Sequence, residues 1–277
     1  MKLVRVASVL SLSLFTMFFL SCENEPLDAD FLSEDGTFIP DDSEITDPGG
    51  ASSGDYWPLA VDNTWTYNLY ADDVAQDDYD MSIGSTDVYQ GENVFRFNQY
   101  LPSATGTDGT EFDGLEIDTY VRKNGGDYII SVGDLSASYL DGAFELSQTG
   151  YSIIILKDYV NVGTTWTSNV QTVTSFTSND ETFPDLPSIT NNISNTLEVV
   201  EKDISTTVNG TTYNDVIKVK YLQETFTAAA PEQTTNSLIY YYFAKDVGLV
   251  KAEGTISDNA DNITSTTLQE LDAYTLN

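Results

Sequence analysis

Alternation of apolar and polar residues is the feature of this sequence that most constrains its fold. In the stretch 216–221, VIKVKY, alternation places Lys218 and Lys220 on one face of a strand and large apolar side chains on the other. The stretch 64–70, TWTYNLY, alternates in the same way. Runs of helix-forming residues with a 3.6-residue period are hard to find after the first 22 residues. The pattern therefore predicts β-strands through most of the chain.

Turn residues separate these strand-like runs at short intervals. Gly91-Glu92-Asn93, Asn124-Gly125-Gly126 and Asn209-Gly210 each lie between two such runs, and these residue types suit tight hairpins. We therefore predict an antiparallel all-β domain of roughly a dozen strands, forming a curved sheet or half-open barrel, with a β-sandwich as the alternative.

The first 21 residues have the organisation of an export signal. Lys2 and Arg5 precede an apolar run at 9–20, which is too short to span a bilayer and ends at Ser21 and Cys22. Cys22 is the one cysteine of the chain. We predict that residues 1–21 are removed and that Cys22 is lipidated.

The stretch FFLSCENE around Cys22 resembles the lipobox of bacterial lipoproteins, especially those of the Bacteroidota, although Phe19 departs from the commoner leucine. The resemblance implies a palmitate-bearing anchor at Cys22 that holds the protein on the outer membrane. The acidic residues after Cys22 resemble the signal for display on the cell surface, so either the periplasmic or the external face is expected.

Residues 22–55 are predicted to form a lipidated, acidic and disordered tether. From residue 23 to residue 55 there is no lysine or arginine, and prolines recur. Such a segment buries too little apolar area to offset the entropy of ordering it. Residues 56–277 are predicted to form a single all-β domain.

The chain carries a formal net charge of −33. A field of this sign repels phosphate backbones and anionic headgroups, which excludes nucleic acid as a partner and disfavours polybasic membrane docking. The membrane contact we expect is therefore the N-terminal lipid anchor alone.

The residue inventory also restricts the chemistry. There is no histidine, and the one cysteine is the predicted lipid attachment site, so histidine-dependent triads, thiol chemistry and imidazole zinc sites are excluded. A carboxylate-based glycoside hydrolase needs two acids about 5–10 Å apart. No pair stands out, so this alternative is the least favoured, and we expect no enzyme.

One acidic cluster has the ligand chemistry of a calcium loop. Its members surround two glycines and are Asp108, Glu111, Asp113, Glu116 and Asp118. Hard oxygen donors suit Ca²⁺, but the spacing is not that of an EF-hand. A solvated acidic loop is the alternative, and no other cofactor is expected.

The aromatic stretch 240–251, YYYFAKDVGLVK, is interpreted as two strands joined by a turn at Gly248. Alternation places Tyr240 and Tyr242 on one face, opposite Tyr241 and Phe243. Either both faces are covered, or one face is an aromatic ligand surface. The candidate ligand-surface residues are Tyr56, Trp57, Tyr240 and Tyr242.

Two motifs carry a family resemblance: P-L-x-V-x-x-x-W at residues 58–65 and Y-x-x-x-x-V-G-L-V-K at residues 242–251. Together they resemble a group of uncharacterised secreted or lipid-anchored bacterial proteins. Asp62 and Asp246 stand where that group commonly has glycine. The resemblance implies a curved sheet similar to the half-open barrels of periplasmic lipoprotein carriers, and it brings no catalytic residues.

Three hypotheses for function remain. The first is a lipid-anchored, non-enzymatic binding or structural lipoprotein of the bacterial envelope that holds an apolar ligand such as a lipid. The second is a surface glycan-binding or adhesion module with exposed aromatic platforms. The third is an envelope component that acts through protein contacts alone.

Overall fold

The computed structural model describes residues 38, 40, 45, 48–100, 116–139, 144–178, 186–227, 230–258 and 262–277. These residues form fourteen β-strands and no helix, so none of them lies in a helix that could cross a membrane. The strands are β1 (Thr64–Ala71), β2 (Val74–Ala75), β3 (Tyr79–Tyr89), β4 (Glu92–Gln99), β5 (Glu116–Asn124), β6 (Asp127–Tyr139), β7 (Phe144–Gln148), β8 (Tyr151–Lys157), β9 (Thr165–Ser178), β10 (Leu186–Val208), β11 (Thr211–Thr227), β12 (Ala230–Ala244), β13 (Gly248–Ser257) and β14 (Ile263–Thr275).

Twelve of the strands close into an antiparallel barrel. Neighbours follow the order β1-β3-β4-β5-β6-β7-β9-β10-β11-β12-β13-β14, and β14 pairs with β1 from Thr64↔Thr275 to Ala71↔Thr267. Strand β2 pairs with β1, and β8 pairs with the first half of β6. The predicted all-β barrel of about a dozen strands is confirmed. The barrel is closed rather than half-open, because the first and last strands share a hydrogen-bond ladder.

The turns form at or next to the predicted positions. Asn209 and Gly210 both have positive φ, 47° and 81°, as expected for a two-residue hairpin between β10 and β11. Asp246, at one of the positions where the resembling proteins commonly have glycine, adopts a φ of 60°. Aspartate tolerates the left-handed region better than most residues, so position 246 adopts this conformation without glycine.

The predicted faces of the aromatic strand are also observed. Tyr241 and Phe243 face the barrel interior, where they pair with Val219 and Ile217 of β11, whereas Tyr240 and Tyr242 face outward toward Lys218. The largest fully buried side chains of the core include Trp57, Trp65, Tyr67, Tyr128 and Phe243. Burial of such aromatic side chains is the dominant stabilising contribution in a fold of this kind.

The end of the barrel that carries the Asn209–Gly210 hairpin is called the clamped end, because the N-terminal segment is fixed there. Gly49 donates its amide to the carbonyl of Asn124, and Gly126 donates to the carbonyl of Gly50. Residues 48–55, which the sequence assigns to the tether, thus make hydrogen bonds with the barrel.

Candidate functional site at the barrel ends and the outer face

A buried carboxylate, Asp158, holds the N-terminal segment on the clamped end. Asp158 is fully buried. Its carboxylate accepts hydrogen bonds from the Ser53 amide at 2.9 Å and the Ser52 hydroxyl at 2.6 Å, and the Lys123 ammonium lies 3.8 Å away. Its backbone carbonyl accepts from Ser53 and Lys202. A buried charge needs such partners, so Asp158 and the segment stabilise each other.

Close backbone approach explains the glycines of this segment. A Cβ atom on Gly49 would lie 2.5 Å from the Asp127 carboxyl carbon, and one on Gly50 would lie 2.4 Å from the Tyr159 ring. A side chain at either position would therefore force the segment or its neighbour on the barrel to shift. The stretch 48–54, PGGASSG, has the composition of a flexible linker, but its glycines allow the backbone to lie close against the barrel.

Tyr56 and Trp57 follow this segment and enter the core. They are 3% and 1% exposed, and the Trp57 ring packs against Phe97 and Phe243 at centroid distances of 6.0 and 5.7 Å. The Tyr56 amide donates to the Tyr128 hydroxyl at 2.8 Å, and burial raises the pKa of Tyr128 far above its usual value. Neither side chain can serve as an exposed stacking platform, because the clamped segment turns both of them inward.

The other two candidate aromatic residues form a ladder with lysines on the outer face. The Lys218 ammonium lies 4.8 Å from the Tyr240 ring centre and 5.0 Å from that of Tyr242. The Lys251 ammonium lies 5.7 Å from the Tyr242 ring centre, and the Tyr242 hydroxyl donates to Glu253 at 2.7 Å. Cation–π contacts of this kind cover the rings. Tyr242 is 9% exposed and Tyr240 is half-buried, so the two do not form a broad open platform.

The charged groups of this ladder shift one another's pKa values. Burial alone would raise the pKa of Glu253, but hydrogen bonds from Lys251 and Tyr242 outweigh it and hold that pKa below its usual value. Burial alone would lower the pKa of Lys218, but Tyr242 and Glu201 outweigh it and raise that pKa. Both groups therefore remain charged around neutral pH.

The interior of the barrel changes character along its length. Near the clamped end the inward-facing residues of β10 are Leu197 and Val199. Two and six residues before Leu197, on the same face, lie Asn195 and Asn191. We call the region they enter the polar end. Its polar inward-facing side chains, grouped by alternation and register, are Gln148, Thr172, Thr174, Asn191, Asn195, Gln223 and Thr225, and the buried apolar side chain of Ile193 lies on the same face between Asn191 and Asn195.

A hydrogen-bond network separates the polar end from the aromatic core. The Tyr221 hydroxyl donates to the Asn195 side-chain oxygen at 2.7 Å, and the Gln223 amide donates to both of these groups. The Asn195 amide donates to the Ser168 carbonyl. Burial raises the pKa of Tyr221 well above its usual value. The network fixes buried amides in one orientation, as fully satisfied polar networks do.

The remaining predicted site residues are only partly described. Cys22, Asp108, Glu111 and Asp113 lie outside the described residues, as do the side-chain surroundings of Glu116. The Asp118 carboxylate accepts a hydrogen bond from the Arg96 guanidinium at 2.8 Å on the outer face. Among the described residues no group of three or more His, Cys, Asp or Glu could hold a metal ion. The calcium loop and the lipidation site remain predictions.

Sequence reasoning missed Asp158 and the polar end. Asp158 is one of many acids in the sequence, and no local signal marks its burial. The polar stretch 190–196, TNNISNT, has polar residues at both parities, which is typical of a solvated strand. Only the closure of the barrel shows which side chains face the interior.

Comparison with known proteins gives a fold likeness. No family model matches the sequence, and no curated protein matches it. A crystal structure of a "putative lipoprotein" from Parabacteroides distasonis ATCC 8503 is similar, with a TM-score of 0.43 and 17% identity over 78% of this chain and 98% of that chain. A "putative exported protein with YmcC-like fold" from Bacteroides fragilis NCTC 9343 is similar, with a TM-score of 0.44 and 14% identity over 79% and 98%.

Proposed function

We propose that the protein is an exported lipoprotein of the bacterial envelope, held on the outer membrane by acyl chains at Cys22, and that its barrel works without catalysis. The observation that carries the proposal is the attachment of the N-terminal segment to the clamped end. Asp158 and Trp57 tie residues 52–57 into the clamped end, and Phe38, earlier in the chain, packs against Phe226 at a centroid distance of 5.7 Å. The chain that leads from an N-terminal anchor is therefore attached to the barrel at defined residues.

The clamp is strong enough for this role in physical terms. The Asp158 carboxylate is fully buried and receives charge-assisted hydrogen bonds from the segment, and these are the stronger class of protein hydrogen bonds. Trp57 adds an aromatic side chain that is 1% exposed. A force that reaches residues 52–57 would therefore act on the core.

The buried carboxylates support a non-catalytic role. Asp158 is engaged by the clamped segment, and Asp127 lies 3.3 Å from Lys157 beneath Gly49. An acid-base pair must reach its substrate. Both acids lie below the clamped segment, so they are placed as structural charges.

The apolar half of the barrel is already occupied by side chains. Trp57, Trp65 and Phe243 are each no more than 1% exposed there. A lipid would need apolar space of its own. We therefore favour a binding or structural lipoprotein whose ligand or partner lies outside this half, over a carrier that stores a lipid within it.

Metabolic labelling with an alkyne analogue of palmitate tests the anchor. The full-length protein is expected to take up the label and to sediment with the outer membrane on a sucrose gradient. The Cys22→Ala protein is expected to lose both properties, while a Ser21→Ala control keeps them. An unlabelled native protein, or one that stays in the soluble fraction, would overturn the proposal.

The face of the membrane is tested by protease treatment of intact cells. Display on the surface predicts loss of the full-length protein on treatment, and a periplasmic location predicts protection until the outer membrane is permeabilised. Either result refines the proposal, because both locations use the same anchor.

A further inference from the structure

Three neighbouring strands of the barrel wall form a unit that is weakly attached along both edges. The β5–β6–β8 unit consists of β5, residues 127–132 of β6, and β8, and antiparallel ladders join these strands to one another. At the first edge, β4 and β5 pair at two positions among the described residues, Phe95↔Val121 and Arg96↔Tyr120. The ladder between β10 and β11, in contrast, extends along most of both strands.

The second edge of the unit lacks a backbone ladder within the described part of the chain. There β8 pairs with β6 alone, and the pairing of β7 with β9 ends where the Thr149 amide donates to the Val173 carbonyl at 3.2 Å. Beyond that point a side chain connects the strands, since the Trp166 indole donates to the Ile154 carbonyl at 2.8 Å. One side-chain hydrogen bond is a weaker connection than a ladder, in which successive residue pairs contribute bonds.

The unit joins the rest of the barrel at two glycines that lie opposite each other. Strands β7 and β8 keep the same register against β6, which places Gly133 opposite Gly150 in the gap between their two ladders. A Cβ atom on Gly150 would lie 2.2 Å from the Val132 carbonyl oxygen, so a side chain there would force a shift. The register of β5 with β6 changes at the same level, between Ile117 and Thr119. All strands of the unit therefore have an irregular backbone at one level, where the wall can bend.

The opposite end of the unit is fastened by residues 48–57. The hydroxyl of Tyr128 on β6 and the carboxylate of Asp158, which follows β8, both accept hydrogen bonds from this segment. The segment also reaches the turn between β12 and β13, where the Asp246 amide donates to the Asp55 carbonyl at 2.5 Å. It therefore links the end of the unit to a part of the barrel that the ladders of the unit do not reach.

We propose that the β5–β6–β8 unit opens as one body, bending at Gly133 and Gly150 while the rest of the barrel stays folded, and that residues 48–57 are the latch that keeps it closed. Val121 and Leu156 of the unit are buried in the core, so the closed state is the populated one and opening is a rare event. Opening would part β8 from β9 and give a side entrance to the barrel interior. This inference goes beyond the anchoring role, because it concerns a movement that needs no lipid.

Thiol labelling of the full-length protein in detergent tests the inference, with iodoacetamide as the reagent and peptide mass spectrometry to assign the labelled residue. Val121 of β5 and Val219 of β11 are both fully buried in the core, so Val121→Cys and Val219→Cys form a matched pair. We expect Val121→Cys to be labelled about tenfold or more faster, because the unit opens more often than the whole barrel unfolds. Equal labelling rates in the two variants would overturn the inference.

A second substitution tests the latch and the movement as one body. Asp158→Ala is expected to raise the labelling rate of Val121→Cys about tenfold and to leave that of the β11 position unchanged. Ile130→Cys on β6 and Ile155→Cys on β8 should respond by the same factor. Ser52→Ala, which removes one hydrogen bond to Asp158, is the milder variant and should give a smaller increase at the same positions. An increase at Ile155→Cys alone would show that only β8 frays and would contradict a movement of the whole unit.

Discussion

Toward the clamped end the inward-facing side chains of β10 and β11 include Leu197, Val199 and Val219, whereas nearer the other end of the same strands Asn191, Asn195 and Gln223 surround a single buried isoleucine, Ile193. The pairing of β10 with β11 runs without a register shift from Asn191↔Thr227 to Val199↔Val219, so only the side chains change along this stretch. Apolar burial stabilises the first region. Buried amides stabilise little in net terms, since they exchange water for protein hydrogen bonds. The difference indicates that most of the stabilisation comes from the end whose inward face is apolar.

Truncation of Trp57 is the change with the largest expected effect. Trp57→Ala removes a buried ring that contacts Phe97 and Phe243, and large-to-small changes of this kind cost about 3–5 kcal/mol. Urea unfolding followed by circular dichroism measures the loss. Tyr274→Ala, at a position that is 45% exposed, is the control and should change stability little. Equal stability of Trp57→Ala and the native protein would show that the clamped segment does not seal the core.

Removal of the Asp158 carboxylate should have the next largest effect. Asp158→Ala leaves the Ser53 amide without its acceptor and removes one of the carboxylates near the Lys123 ammonium, and loss of hydrogen bonds to a charged group costs about 1.5–3 kcal/mol. Hydrogen exchange should show faster exchange of residues 48–57. The exposed Asp77→Asn is the matched control. Unchanged protection in Asp158→Ala would contradict the clamp.

Alkaline pH should weaken the barrel through its buried tyrosines. Burial raises the pKa of Tyr67, Tyr79, Tyr221 and Tyr241 well above 10.0. A tyrosine whose folded pKa is raised stabilises the fold below its unfolded pKa, and this contribution falls as pH rises above about 10. Tyrosinate absorbance should therefore appear together with unfolding. The decline with pH should be shallower in Tyr241→Phe, and ionisation of all tyrosines in the folded barrel would be the contrary result.

Local sequence signals predicted the strands, several turns and the faces of the aromatic strand. The alternation at 216–221 predicts a strand, and the Asn209–Gly210 pair predicts a hairpin turn. Both predictions use only residues that are adjacent in the sequence. The separation of Tyr240 and Tyr242 from Tyr241 and Phe243 follows from the two-residue period alone.

The remaining features depend on contacts between distant parts of the chain. The β1–β14 ladder joins the first and last strands of the domain, and no local sequence pattern predicts this pairing. Residues 48–55 have the composition of a linker, yet Asp158, more than a hundred positions away, gives them partners. Trp57 is buried because that segment turns it inward, which is why its predicted exposure is not observed.

The most direct test of the division between the two ends is the urea unfolding free energy of two variants on one face of β10. Leu197 is fully buried, and Asn191 is 7% exposed. Leu197→Ala is predicted to lose about 2–5 kcal/mol, because it opens a cavity in the apolar half. Asn191→Ala is predicted to change stability by less than about 1 kcal/mol, since it removes an acceptor that lacks a partner among the described residues. Equal losses in the two variants would contradict the division and make the polar end part of the folding core.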